Sequence, residues 1–205
     1  MNKQHFTLIE LLMAIAIIVI LAAIAIPVTT SAIKKAETAK AQAEMTTLVN
    51  ALKSYETTYG ILPLKCFTEG TDDKTLKDDD AYEKLIRILQ GENLEISSKK
   101  MNARKIAFLE VQGNTEGEFT DPWGNNYAIL IDTTGDGKIK VADADWPHGL
   151  DKPSNGILHK DIVIWSKGAD GASDATADDD KNADNVFSIP VLWDKANGTW
   201  SSETH

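Results

Sequence analysis

The sequence predicts an α+β protein in which one long N-terminal helix packs against a small antiparallel sheet. Residues 11–28 form an apolar run without a charge, and residues 41–59 repeat apolar residues every three or four positions. Short apolar runs separated by Gly- and Asp-rich turns follow, as expected for strands. A helix with one apolar stripe and a sheet with one apolar face can bury both surfaces by packing against each other.

Composition limits the classes of function. Apolar residues make up 42% of the 205 residues, near the globular average, so the chain is neither a disordered tail nor a polytopic membrane protein. The net charge of −10 argues against nucleic acid as a partner. A single cysteine, Cys66, excludes an intrachain disulfide and a zinc site built from several thiolates. No Ser/His/Asp set is anchored to a recognisable motif, and we expect no enzymatic activity.

The first helix begins with the apolar run. Extended back to Phe6, the run gains only Thr7 and Glu10 as polar residues. About 20 helical residues cross a bilayer core of roughly 30 Å, so we expect a membrane-spanning segment at residues 6–28. A cleaved signal peptide is the alternative, and it is less favoured because helical periodicity continues past its candidate exit.

The same helix continues as an amphipathic segment over residues 29–59. Pro27, which lacks an amide hydrogen, should kink or locally melt the helix at the join. Gly60 ends the helix and Pro63 prevents its resumption, which leaves residues 60–205 as the globular head. The predicted apolar face consists of Ala41, Met45, Leu48, Leu52, Tyr55 and Tyr59.

The head should contain one short helix. Three acids at 78–80 precede an apolar-periodic stretch that Gly91 closes, which is typical of a helix. Residues 106–111 are apolar and predict either a strand or an irregular buried segment. The core face of the short helix should hold Tyr82, Leu85, Ile86 and Leu89.

The remaining head residues predict strands. Residues 127–131 and 138–141 flank a six-residue loop and predict a hairpin. Residues 161–165 and 186–193 predict two further strands, and Pro190 places the last one at an edge or ends it early.

The stretch Phe6–Leu12 (FTLIELL), followed by the apolar run, resembles the N-terminus of type IV pilins and type II secretion pseudopilins. In that family a prepilin peptidase cuts before the Phe on the cytoplasmic side and methylates the new amine. The resemblance thus implies the pilin fold, a leader at residues 1–5, and cleavage between His5 and Phe6. The family normally has Gly before the cut, where this chain has His5.

Glu10 is an isolated carboxylate in this apolar setting. At mid-bilayer a carboxylate costs about 2.5–3.5 kcal/mol on insertion scales, although a position near the helix start lets it reach the interface. The resemblance implies instead that it pairs with the new Phe6 amine and guides a subunit into a filament. It also implies a single-pass inner-membrane protein with a cytoplasmic N-terminus and a periplasmic head, an orientation that the positive-inside rule does not select here.

Three later segments, Tyr59–Pro63, Asp121–Asn125 and Trp165–Gly171, occur in the same order as in the major pseudopilin of type II secretion. The resemblance therefore implies a pseudopilus subunit, a homopolymer whose partners are the prepilin peptidase and the secretion assembly platform. The alternative is a type IV pilin for adhesion, motility or DNA uptake. Many such pilins close their C-terminal region with a disulfide, which this chain cannot form. A membrane-tethered enzyme or binding domain is a third class, against which Glu10 argues.

Residues 168–185 are acidic, with six aspartates among glycines and asparagines. Many hard oxygens on a flexible turn suit Ca²⁺, which takes 6–8 such ligands, whereas a solvated acidic loop is the alternative. Major pseudopilins carry calcium in the corresponding loop, and the resemblance assigns Asp170 and Asp184 to it. Asp180 is a further candidate ligand.

A second stretch follows part of an EF-hand loop, with Asp132, Asp136 and Asp143 at its acidic positions. Thr134 stands where an acid or amide is usual, and the flanks predict strands rather than helices. A plain hairpin turn is therefore favoured over a metal site.

Overall fold

The computed structural model describes residues 7–63, 74–76, 79–111, 117–132, 135–140, 150, 157–172, 182–189, 191–194 and 199–202. The chain divides into two compact units, Met1–Ala39 and Lys40–His205. Its elements are α1 (Leu8–Tyr59), β1 (Lys74–Leu76), α2 (Asp79–Leu89), β2 (Glu95–Ile96), β3 (Lys99–Lys100), β4 (Ala128–Ile131), β5 (Ile162–Ser166), β6 (Val186–Phe187), β7 (Val191–Asp194) and β8 (Thr199–Ser202).

The first unit contains the apolar part of α1. All of its described large apolar side chains from Leu8 to Ile24 are exposed. Among the described residues, α1 is the one helix long and apolar enough to cross a membrane. The helix is continuous through Pro27, so the local melting expected there is wrong. Proline removes one backbone hydrogen bond of the helix, and α1 continues on both sides of it.

The C-terminal end of α1 lies where the sequence predicts it. Gly60 follows the helix with φ of 73°, the left-handed conformation in which many helices end. Its amide donates a hydrogen bond of 2.7 Å to the carbonyl oxygen of Glu56.

The apolar stripe on the last part of α1 forms the main core of the second unit. Ala41, Met45, Leu48 and Leu52 are completely buried, and the prediction of this face is confirmed. The short helix α2 is also confirmed, and all four residues of its predicted core face are buried in the same cluster. The sheet contributes Ile129 and Ile131 from β4 and Ile162 and Ile164 from β5 to this cluster.

The sheet is antiparallel, with strand order β1-β4-β5-β6. Alternate residues of β4 and β5 point to opposite faces, so Leu130 and Val163 lie on the face away from α1. That face is covered as well, which the sequence analysis did not predict. Its core consists of Leu130, Ile139, Leu150, Leu158, Val163, Trp165, Phe187 and Ile189.

The hairpin predicted for residues 127–131 and 138–141 does not form. β4 pairs with β1 on one edge and with β5 on the other, so neither edge is open to residues 138–141. Ile139 instead forms an isolated antiparallel bridge with Leu158, with a hydrogen bond of 2.8 Å from the Ile139 amide to the Leu158 carbonyl.

Two further apolar runs of the head do not form single continuous strands. Residues 106–111 form an irregular segment with Leu109 buried, rather than a strand. The run at 186–193 is split into β6 and β7 on either side of Pro190, as the proline predicted. β7 pairs with β8 in a separate two-stranded sheet.

We expect Leu52→Ala to lower the free energy of unfolding by about 2–5 kcal/mol, because it removes buried methyl groups and leaves a cavity. Chemical unfolding of the detergent-solubilised chain, followed by tryptophan fluorescence, measures the change. Lys53→Ala, at an exposed position next along the same helix, should stay within about 0.5 kcal/mol of the unsubstituted chain. Similar losses for both variants would contradict the packing described here.

Candidate functional site

The candidate residues lie in separate parts of the structure. Glu10 belongs to the first unit, and Asp170 and Asp184 are brought together in the second. Asp132 and Asp136 lie in another loop of the second unit. The candidates His5, Phe6, Asp143 and Asp180 lie outside the described residues.

Glu10 caps the start of α1. Its Oε2 accepts hydrogen bonds from the Thr7 amide at 2.8 Å and the Thr7 hydroxyl at 2.7 Å, and the Glu10 amide approaches the Thr7 hydroxyl oxygen at 3.4 Å. This reciprocal Thr-x-x-Glu arrangement is a capping box, which satisfies backbone amides that have no partner within the helix. Both side chains are exposed. The hydrogen bonds to Thr7 therefore orient the Glu10 carboxylate while it remains accessible. This capping role was not predicted above, although the Thr-x-x-Glu spacing of Thr7 and Glu10 is its signal in the sequence.

Asp121 organises a tight turn before β4. The Gly124 amide donates to the Asp121 carbonyl at 3.0 Å, with Pro122 and Trp123 at the centre of the turn. The side chain strengthens it, because Asp121 Oδ1 accepts hydrogen bonds from the amides of Trp123 at 3.1 Å and Asn125 at 2.8 Å. Trp123 packs partly buried against the main core, as expected for this motif. The turn is thus fixed by its own carboxylate.

Two buried tyrosines anchor the residues on either side of this turn. The Tyr82 hydroxyl donates to the Phe119 carbonyl at 2.5 Å, and the Tyr127 hydroxyl donates to Glu44 Oε2 at 2.7 Å. Burial raises the pKa of both phenols above the ordinary value, so both remain protonated donors at neutral pH. The turn is therefore tied to α2 through Tyr82 and to α1 through Glu44.

Ser166 joins this turn to the acidic loop. It is completely buried at the end of β5, and its hydroxyl donates a hydrogen bond of 2.5 Å to Asp121 Oδ2. The Ser166 hydroxyl oxygen in turn accepts a hydrogen bond of 3.0 Å from the Gly168 amide. Gly171 and Asn125 also lie close to each other. A Cβ added to Gly171 would be 3.1 Å from the side-chain oxygen of Asn125. The turn at 121–125 and the loop at 166–171 therefore meet at two points.

Asp184 packs directly on the Gly168 backbone. Gly168 has φ of 71°, and a Cβ there would lie 2.6 Å from Asp184 Oδ2, so only glycine permits this approach. Asp184 Oδ2 accepts a hydrogen bond of 3.1 Å from the Asp170 amide. Asp170 Oδ1 in turn accepts one of 2.8 Å from the Ala172 amide. Asp170 and Asp184 are therefore adjacent residues, joined by a hydrogen bond from the backbone of one to the side chain of the other.

The environment of Asp184 suits a hard cation. Its Oδ1 is buried and has no hydrogen-bond donor among the described residues. Burial raises the pKa of Asp184 above its ordinary value, and the charge of Asp170 raises it further, against the opposing effect of backbone amides. In the described part of the chain no group of three or more His, Cys, Asp or Glu side chains is placed to hold a metal. A cation here would thus bind two carboxylates together with backbone oxygens or residues of the loop outside the described ranges.

The second candidate loop is organised as a turn. Asp132 is buried, and its two oxygens accept hydrogen bonds from the amides of Gly135 at 2.6 Å and Gly137 at 2.7 Å. Asp136 is exposed and accepts a bond of 3.0 Å from the Lys138 amide. The described contacts of these two carboxylates are therefore those of residues that close a turn.

Comparisons with protein-family models, curated proteins and solved structures found no match for the chain.

We expect Gly168→Ala to destabilise the chain more than Gly135→Ala, by about 1–3 kcal/mol of unfolding free energy. Both glycines have positive φ, so both alanine variants incur left-handed strain of about 1–2 kcal/mol. Among the described residues no atom lies within 4 Å of the position that a Cβ of Gly135 would take, whereas a Cβ at residue 168 would collide with Asp184. Chemical unfolding of the full chain in detergent and chelator compares the two. Equal losses would show that Asp184 does not pack on Gly168.

Proposed function

We propose that this chain is a structural subunit of a periplasmic pseudopilus in type II protein secretion, with the pilin fold. The observation that carries the proposal is an apolar helix whose large side chains are exposed and which presents one exposed, oriented carboxylate at its start. Exposed apolar surface of this extent requires a cover of lipid or of other apolar helices. In a subunit that leaves the inner membrane to join a filament, lipid would surround the helix first and the helices of neighbouring subunits afterwards.

The helix supports the membrane part of this proposal. It is long and apolar enough to cross a bilayer, and its described large apolar side chains from Leu8 to Ile24 are exposed. We place the N-terminus in the cytoplasm and the head in the periplasm, on the family resemblance of the N-terminal motif. In this arrangement prepilin peptidase cuts between His5 and Phe6 and methylates the new amine.

Glu10 distinguishes a polymerising subunit from a domain that is merely anchored. A simple membrane anchor would need Glu10 only for its capping box, and a carboxylate drawn to mid-bilayer would cost about 2.5–3.5 kcal/mol. In a filament, the Phe6 amine of a neighbouring copy would supply the opposite charge. The capping box holds the Glu10 carboxylate in one orientation before that cation arrives, so less conformational freedom is lost on pairing.

The same N-terminal helix would serve a type IV pilin for adhesion, motility or DNA uptake. The head favours the pseudopilin, because the chain has a single cysteine and cannot close its C-terminal region with a disulfide. The acidic loop offers a different cross-link. We propose that Asp170 and Asp184, with Asp180, hold Ca²⁺, and the buried and unsatisfied Oδ1 of Asp184 supports this assignment.

We expect Glu10→Gln to insert into the membrane but to reduce the yield of sheared filaments strongly. Glutamine retains the hydrogen bonds of the capping box and removes the charge, so the loss would belong to charge pairing. Thr7→Ala is the matched variant, because it breaks the capping box and keeps the carboxylate. It should lower the yield far less.

The intact mass of each variant, which should correspond to a chain that begins at Phe6, controls for processing. A normal filament yield from Glu10→Gln would contradict the proposed assembly. Equal losses in both variants would assign Glu10 a capping role alone.

We expect the full chain in detergent to melt several degrees higher in millimolar calcium than in chelator. A ligand at a hundredfold excess over its dissociation constant stabilises the folded state by about 2.7 kcal/mol. Asp184→Asn should abolish this response without lowering the melting temperature in chelator, because it removes a carboxylate whose burial disfavours its charge. Asp136→Asn should keep the response, and magnesium should replace calcium poorly. If the unsubstituted chain melts at the same temperature in calcium and in chelator, residues 168–185 are a solvated acidic loop and not a calcium site.

A further inference from the structure

We propose that Asp121 is a positioning residue for the cation site, acting through the Ser166 hydroxyl on the loop that brings Asp170 and Asp184 together. The inference rests on the proposed calcium function of this loop. Asp121 contacts neither of the two carboxylates in the described hydrogen bonds, and the contact through which it reaches the loop is the Ser166 hydroxyl.

The first step is that the orientation of Asp121 is fixed. Its side chain is 4% exposed, and both of its carboxylate oxygens are occupied. Oδ1 accepts two amides of its own turn, and Oδ2 accepts the Ser166 hydroxyl. Tyr82 and Tyr127 hold the residues on either side of the turn, so the backbone of the turn is tied to both helices.

The second step is the polarity of the hydrogen bonds through Ser166. A serine hydroxyl has a single hydrogen, which is donated here to Asp121, so its oxygen is left to accept the Gly168 amide. An asparagine at 121 would break this order whichever way its amide is placed. Its NH₂ group would face either the Ser166 hydroxyl or the backbone amides of the turn, which are all donors in the present arrangement.

The third step is the contact between Gly168 and Asp184. The Gly168 amide is held by Ser166, and the Asp184 carboxylate lies where a Cβ of Gly168 would be. The turn continues to Gly171, whose amide approaches the Gly168 carbonyl at 3.4 Å and whose backbone lies against Asn125. A displaced Gly168 would therefore move Asp170 and Asp184 relative to each other, and with them the geometry offered to a cation.

The test is the calcium dissociation constant of the full chain in detergent, measured by titration calorimetry at a temperature where circular dichroism shows each variant folded. Asp121→Asn and Ser166→Ala should each weaken binding by about 10-fold or more, the usual effect of removing a group that orients metal ligands. The double variant should bind about as weakly as the weaker single variant, because both substitutions break the same chain of hydrogen bonds. Asp132→Asn is the control, since Asp132 is 6% exposed and closes a turn with comparable hydrogen bonds.

The outcomes separate a positioning role from a structural one. Unchanged calcium affinity in Asp121→Asn or in Ser166→Ala, even with a lower melting temperature in chelator, would overturn the inference. Equal weakening by Asp132→Asn would overturn it as well, because the effect would then be a general one. If the unsubstituted chain binds no calcium, the cation site and this inference both fail, whereas the filament yield of the Glu10 variants still tests assembly. If Asp121→Asn does not fold, Ser166→Ala alone decides the question.

Discussion

The burial of one face of α1 is the constraint on which the second unit depends. Met45, Leu48 and Leu52 are completely buried, and α2 and the inner face of the sheet pack around them in one cluster. With one cysteine in the chain, no internal disulfide supports this core. Buried and half-buried tyrosines instead link α1 to other parts of the second unit through hydrogen bonds of their hydroxyl groups. Tyr55 donates to the Met101 carbonyl, Tyr59 donates to Asn102 Oδ1 at 2.8 Å, and Tyr127 donates to Glu44.

The elements that the sequence predicted correctly are those fixed by local pattern. The period of the apolar residues and the terminal glycine identify α1, and the acids before Tyr82 with Gly91 after it identify α2. The strands that were missed depend on distant partners, since β1 and its partner β4 are separated by the whole of α2. The turn between β2 and β3 was missed for a local reason. Ser97 and Ser98 adopt φ of 47° and 62°, in a turn where glycine or asparagine is the usual signal.

The candidate site was predicted in part for the same reasons. Asp170 and Asp184, the two residues that the resemblance assigns, lie next to each other, and the motif around Asp121 forms the expected turn. The bond between Asp121 and Ser166 was not predicted, because these residues are 45 positions apart. The antiparallel register of β4 and β5 pairs Ala128 with Trp165, so the chain entering β4 lies beside the chain leaving β5. Strand register, which a single sequence specifies weakly, thus creates the site.

The chemistry of Asp184 connects the acidic loop to the stability of the head. Burial raises the pKa of its carboxyl, so in the absence of a cation the folded state disfavours the ionised form that neutral pH imposes. The stability gained from protonating this group is present at low pH and is lost as the pH rises through its raised pKa. A cation at the buried Oδ1 would reverse this cost by stabilising the ionised form. Calcium there would contribute a cross-link that the single cysteine cannot form.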